Sequence, residues 1–243
     1  QLVPDVFRMT HDPALYDSDR GVGDVLALMA HFGLEHAVLV GHDFGAAQVY
    51  NVAVRHPERV SAVVGVACPY DFDLAGRGGA GANPPADLFL TRLFWALCAE
   101  GHLLDWTRFS TEGNSYLDVL ADPAKSLPWH WMSQADIDTY VEAFTRCAPG
   151  EEFIGGINSY RVADRNWEIG KVWADANVTP PSLFIAGAED PVLQMIGDDA
   201  LAVLQARSSD LRGIELIPQA GHFVQQEQPA AFNAALLRFL ATL

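Results

Sequence analysis

The sequence predicts an α/β fold: a mostly parallel sheet flanked by helices, with a long helical insertion in its middle. Three observations carry that expectation. Runs rich in β-branched residues stand at 37–40 and 60–66 with a helical stretch between them, strand-like runs return at 181–187 and 213–217, and the intervening part of the chain holds no convincing strand. Strand, helix and strand in close succession form a parallel βαβ unit, because parallel neighbours need a crossover connection. With 243 residues, half of them hydrophobic, the chain can bury a full core, and one domain with a substantial insertion is the natural organisation.

Residues 1–20 are short on pattern: Pro4, Asp12-Pro13 and Asp17-Ser18-Asp19 read as loop and helix approach, and no element is expected there. From Gly21 onward Val22, Val25, Leu26 and Met29 fall at helical spacing, and Gly33 sits where a helix C-cap belongs. Ala37-Val38-Leu39-Val40 reads as a buried strand, Ala46 to Arg55 as a helix closed by His56-Pro57, and Val60 to Val66 as another buried strand. His56 is expected to be a helix-end residue without catalytic part. Composition shifts at Cys68-Pro69. A Gly/Pro/Ala-rich loop from Gly76 to Pro85 precedes apolar and aromatic segments at helical periods, Leu88 to Leu104 and Asp136 to Phe144. The core pattern then resumes in Pro181 to Gly187, followed at once by Ala188-Glu189-Asp190-Pro191, and in Gly213 to Ile217, followed by Gln219-Ala220-Gly221-His222. A last helix begins near Pro229, a favoured first-turn residue, and is expected to bury Phe232, Leu236, Phe239, Leu240 and Leu243 on one face. The expected division is a core of residues 1–68 and 179–243 and a helical insertion of residues 69–178.

Net charge is −16, so a nucleic-acid backbone or an anionic membrane surface would be repelled. No run approaches the ~18 apolar residues of a membrane span, no charged-then-apolar leader opens the chain, and the cytoplasm is the expected compartment. Cys68, Cys98 and Cys147 are odd in number and widely spaced, which suggests buried thiols rather than a disulfide framework or a zinc site. The first residue is Gln, so segments of a longer chain, N-terminal strands among them, are expected to be missing upstream.

The organising stretch is Gly41-His42-Asp43-Phe44-Gly45-Ala46, directly after the first strand. Gly-X-Asp-X-Gly between a strand and a helix has the form of a nucleophile elbow, a sharp turn at which both flanking glycines, Gly41 and Gly45, are expected to be needed. The residue it presents is a carboxylate, ionised near neutrality because its reference pKa is about 3.9. It can attack a saturated carbon without a base, but the resulting ester must then be hydrolysed, which requires a His. Asp43, Asp190 and His222 all fall just past the carboxyl ends of expected strands, where ligands bind in open parallel sheets. Their order along the chain is nucleophile, acid, His. Asp190 would orient the imidazole of His222 and stabilise its protonated form, His222 would act as general base on water, and the backbone amide of Phe44 would help to hold the oxyanion.

This constellation resembles that of the α/β-hydrolases with an Asp nucleophile, and Gly-His-Asp-Phe-Gly-Ala is most similar to the soluble epoxide hydrolase family. The resemblance extends to Gly155-Gly156-Ile157-Asn158-Ser159-Tyr160-Arg161 and Arg165-Asn166-Trp167, which look like that family's lid segment. It also extends to Ala220 to Pro229, which look like its His loop, and covers roughly residues 14–243. It implies an α/β-hydrolase fold with residues 69–178 as a helical lid, or cap. It implies an epoxide hydrolase that makes a vicinal diol through an alkyl ester on Asp43, with Tyr160 donating a proton to the epoxide oxygen. A phenol of pKa about 10 suits a leaving alkoxide that stays tethered to the substrate. No metal or organic cofactor is implied. The partners implied are a small apolar epoxide and water, with no nucleic acid and no membrane, and with a homodimer left open. Phe94, Trp95, Leu97, Trp129 and Trp131 suggest an apolar pocket, but residues of this kind are more often core than contact; Trp167 reads as packing, and Arg161, Asp164 and Arg165 read as a salt-linked helix surface.

Two departures accompany the resemblance. The family's H-G-x-P loop, source of a second oxyanion donor, has no counterpart before Asp43, and a second lid tyrosine is not identifiable among Tyr70, Tyr116 and Tyr140. The rivals are a haloalkane or haloacid dehalogenase on the same triad, and a non-catalytic α/β-hydrolase-like binding protein. Halide leaves as a stable anion and is suited to a Trp N–H after the nucleophile, where this chain has Phe44.

Overall fold

The computed structural model describes residues 12–70, 86–101, 120, 122–147, 151–196 and 199–243. The Gly76 to Pro85 loop, Tyr116 and the stretch toward Leu104 lie outside these residues. The chain forms two compact units, one of residues 18–73, 97–100 and 166–243, the other of residues 1–17, 74–96 and 101–165.

The first unit is built on a parallel sheet. Among the described residues four strands, β1 (Ala37–His42), β2 (Val60–Val66), β3 (Ser182–Gly187) and β4 (Leu211–Ile217), lie side by side in chain order. Their register sets His42 beside Val66, Val66 beside Ile185, and Ile185 beside Glu215. All four carboxyl ends therefore meet one edge. β2 and β3 are central and almost wholly buried, as strands covered on both faces must be. β1, expected to be a buried strand, is instead half-buried, with Val40 46% exposed, because among the described residues it pairs on one side only.

Helices cover the two faces by the period of two along each strand. Ala62, Val64, Val66, Leu183 and Ile185 form one core cluster with Phe232, Ala235 and Phe239 of α10 (Pro229–Leu240). Leu236 and Leu240 join its margin, but Leu243 lies beyond the helix end and is exposed, contrary to the expectation for it. On the alternate positions, Gly65 lies under Tyr50 of α2 (Phe44–Arg55): a Cβ there would stand 2.2 Å from the phenol oxygen. α1 (Ser18–His31) begins three residues before the apolar spacing does, with Asp19 in its first turn bound to Arg55 at 2.6 Å. Gly33 closes it at φ 66°, the left-handed conformation that makes glycine a common helix terminator.

The second unit is helical among its described residues. α3 (Ala86–Leu97), α4 (Gln134–Phe144) and α5 (Ile154–Arg161) are joined by ring contacts: Phe89 and Phe144 each meet Phe153 at about 5 Å between centroids, and Phe94 meets Tyr140 at 4.9 Å. Trp95 packs on Trp129, which packs on Trp131. Phe94, Trp95 and Trp129 are buried in this packing, the core role that the sequence left open for them. α6 (Ala163–Gly170) passes from this unit into the other, and α7 (Pro191–Ile196), α8 (Asp199–Arg207) and α9 (Val224–Glu227) complete the sheet unit. Among the described residues no helix is long and apolar enough to cross a membrane.

Candidate active site

β1 runs into α2 through a single residue. Asp43 adopts φ 55° and ψ −121°, a conformation that L-residues rarely take and that costs on the order of 1–3 kcal/mol. Backbone bonds hold it there. The Asp43 N–H donates to the Val66 carbonyl at 3.1 Å, and its own carbonyl accepts from Ala46 and Ala47, starting the helix. Gly41 is required by close approach, because a Cβ would meet the Gly45 carbonyl oxygen at 2.1 Å. Gly45 is not: a Cβ there meets nothing within 4 Å, so the expectation that both flanking glycines are needed holds for the first alone. The Asp43 side chain is 37% exposed.

The second strand end supplies Asp190. It is fully buried past β3, and Oδ1 accepts the Val192 N–H at 2.8 Å while Oδ2 lies 3.1 Å from Nδ1 of His222. The carboxylate accepts, so Nδ1 carries the proton and Nε2 is the basic nitrogen of the neutral ring. His222 is almost fully buried past β4, and its Nε2 lies 3.7 Å from Oδ1 of Asp43. The three residues expected from the sequence thus meet in one unit, with the imidazole between two carboxylates.

Burial works against charge on His222, yet the hydrogen bond and negative charge of Asp190, with the charges of Asp43 and Glu227, prevail and raise its pKa above the usual value. His42 behaves oppositely: burial and the neighbouring His222 lower it, and as a neutral ring its Nε2–H donates to the His222 carbonyl at 2.8 Å. The two rings lie 4.8 Å apart.

The His222 loop is clamped by a residue that no sequence motif singled out. Buried Glu227 accepts the N–H groups of Gly221 and Phe223, on either side of His222, and of Ala99. His222 N–H in turn donates to the Leu97 carbonyl at 2.8 Å, and a Cβ on Gly221 would stand 2.5 Å from that oxygen. Burial raises the carboxyl pKa of Glu227 against the lowering effect of its three N–H donors. Cys68 does more than the buried thiol expected of it: its Sγ–H donates to Oδ1 of Asp43 at 3.3 Å. The available signal was position, since Cys68 follows β2 at the same sheet edge that carries Asp43. Cys98 is likewise buried, whereas Cys147 is partly exposed.

Tyr160 stands in the last turn of α5 in the helical unit, half-buried, beside buried Asn158, whose side-chain oxygen accepts from Arg161. Arg165 pairs with buried Asp17 at 2.7 Å, so the salt link expected on this surface runs to the chain's early segment. Trp167, expected to pack, is half-exposed, with Lys171 over its ring at 3.8 Å, because its helix turns that position to solvent. Phe44 opens α2. Among the described residues no group of three or more His, Cys, Asp or Glu could hold a metal ion.

Comparison with known proteins agrees with this architecture. The profile of the alpha/beta hydrolase family matches residues 3–235. The chain is 35% identical to Epoxide hydrolase A of Mycobacterium tuberculosis across 94% of its own length and 76% of the relative's, and 29% identical to an epoxide hydrolase of Caballeronia sordidicola across 96% and 74%. It is similar to the crystal structure of Epoxide Hydrolase A from Mycobacterium thermoresistibile, with TM-score 0.75 and 33% identity over 96% of this chain and 77% of that one. A further match is an epoxide hydrolase structure from an endophytic Streptomyces, with TM-score 0.79 and 27% identity over 95% and 75%. A chain with this sheet, this strand-to-helix turn and this degree of identity belongs to the α/β-hydrolase superfamily and, within it, to the epoxide hydrolase family.

Proposed function

We propose that this protein hydrolyses an epoxide to a vicinal diol in two covalent steps. The observation that carries the reading is a carboxylate, not a hydroxyl, on the strained turn after β1, facing an imidazole whose far nitrogen is held by buried Asp190. An Asp43 oxygen attacks one epoxide carbon; that C–O bond forms as the ring C–O bond breaks, and the ring oxygen takes the Tyr160 proton. Tyr160 recovers its proton from water. The neutral Nε2 of His222 then removes a proton from a water that attacks Cγ of Asp43, and charge develops on the former carbonyl oxygen, stabilised by the Phe44 amide. Collapse breaks the ester bond, the departing diol oxygen takes the proton from His222, and the Asp43 carboxylic acid so formed gives its proton to solvent, neutralising the hydroxide left when Tyr160 was reprotonated and restoring the carboxylate. Asp190 keeps the imidazole in the tautomer this requires and stabilises its charged form.

The named relatives are epoxide hydrolases, which supports epoxide and water as the substrates. Residues 69–178, which carry Tyr160, are the proposed lid, and the cytoplasm is the proposed compartment. The decisive test replaces His222 by Gln, exposes the folded variant to an aryl epoxide or a chloroalkane, and records intact mass and the modified peptide. An adduct equal to the whole epoxide on the Asp43 peptide is the expected result. An adduct formed only from the chloroalkane, with halide lost, would make the protein a dehalogenase, and no adduct from either would refute the covalent reading.

A further inference from the structure

We propose that the Cys68 thiol is a side-chain oxyanion donor: it marks Oδ1 of Asp43 as the oxygen that becomes the ester carbonyl and stabilises the charge that develops there during hydrolysis. The inference rests on Asp43 being the nucleophile and adds which of its oxygens attacks and what holds the other.

The turn after β2 presents the thiol. Ala67 is buried at φ 67°, its N–H donated to the Ile185 carbonyl at 2.9 Å, while the N–H of Asp43 is donated to Val66 at the end of the same strand. Three neighbouring strand ends are thereby joined through their backbones, with the Cys68 side chain against the Asp43 carboxylate. The Sγ–H group donates to Oδ1 at 3.3 Å, and Nε2 of His222 approaches the same oxygen at 3.7 Å. Both groups converge on Oδ1, which leaves Oδ2 as the attacking atom.

The thiol suits the role of donor and no other. Burial, together with the negative charge of Asp43 and the bond to it, holds Cys68 well above the usual thiol range, so the proton stays on sulfur and no competing nucleophile arises beside the carboxylate. In the first step Oδ2 bonds to the epoxide carbon and Oδ1 becomes a neutral carbonyl oxygen. In the second, the attacking water loses its proton to His222 and the electron pair of the C=O bond moves onto Oδ1. A hydrogen bond to an ionised acceptor is about twice as strong as one to a neutral acceptor, so the S–H···O bond tightens when hydrolysis needs it. Attack by the carboxylate is not helped by it, since the same bond weakens as Oδ1 passes from ionised to neutral.

That asymmetry is the test. Cys68→Ala and Cys68→Ser are compared with the unmodified protein in single turnovers of an aryl epoxide, with rapid quenching and intact-mass measurement of free and alkylated enzyme. Cys68→Ala is expected to form the Asp43 ester at least as fast as the unmodified protein and to hydrolyse it about five-fold more slowly, as the loss of one weak hydrogen bond implies, so that ester accumulates. Cys68→Ser, which keeps a hydroxyl donor, should restore hydrolysis. If Ala unfolds the protein, Cys68→Val fills the space without a donor and takes its place. Hydrolysis at the normal rate in the donorless variant, or equal slowing by Ser and Ala, would overturn the proposal. Failure of His222→Gln to give an adduct at Asp43 would instead remove the nucleophile on which the proposal rests, so the two failures are told apart.

Discussion

The sheet-bearing unit and the helical unit hold their candidate residues by different means. Asp43, Asp190 and His222 each follow a strand end, and main-chain contacts fix them: Asp43 N–H to Val66, Asp190 N–H to Gly187, His222 N–H to Leu97. Tyr160 stands on an eight-residue helix, α5, in a unit whose described helices are joined by packed rings such as Phe89 on Phe153 and Trp95 on Trp129. Where the backbone sets a position, the side chain can be exchanged at small structural cost while a misplaced Cβ is ruinous. Where side chains set it, the reverse holds.

The sharpest way to break this contrast is Asp43→Asn. It should lower the rate of ester formation by at least ~1000-fold, because the nucleophile is gone, yet leave urea-unfolding stability within about 1 kcal/mol, because no backbone bond is lost. A comparable fall in stability would show that the carboxylate, not the turn, holds the elbow. Next comes the pair Gly41→Ala and Gly45→Ala. The first forces a Cβ to 2.1 Å from the Gly45 oxygen and should cost about 3 kcal/mol or prevent folding; the second, with open space around it, should stay within about 1 kcal/mol. Equal costs would refute the close-approach account of this turn.

The smallest effect sharpens the electrostatics. Burial opposes protonation of His222, and Asp190 and Asp43 more than compensate, so its folded pKa lies above the unfolded value near 6.5. The stabilisation this gives is fully present below that unfolded value and is lost as pH rises through the folded one. Removing the Asp43 charge should therefore lower the imidazole pKa, as an NMR titration of Asp43→Asn would register, and narrow the pH interval over which stability declines. Esterification of Asp43 removes the same charge. His222 then becomes neutral, and competent as a base, at lower pH in the ester than in the free enzyme.

Much of the sheet unit was legible because strand signals are local. Val60–Val66 reads as a strand from its β-branched run, and Asp43, Asp190 and His222 could be placed by counting from strand ends. What could not be read depended on neighbours distant in the chain. β1 looked buried because its residues are apolar, but exposure depends on how many partners flank a strand. Gly45 looked obligatory because the motif carries it, yet only the folded chain shows which glycine another backbone approaches. Glu227 reaches Ala99 across 128 positions and Cys68 reaches Asp43 across 25, and no periodicity reports such pairs. Leu243 fits the helical spacing of α10 but falls past its last residue, because spacing continues where hydrogen bonding has ended.

The unusual dihedral pair at Asp43 has an evolutionary corollary. Because the peptide units on either side, and not the reacting group, bear the strain of the bend, the part that does the chemistry is interchangeable while its mounting stays the same. A hydroxyl-bearing residue at that point would stand in the same place, before the same imidazole, ready for acyl rather than alkyl transfer. One codon separates the two reaction types at the level of the mounting, and the divergence between them must then be enforced by what surrounds the bend.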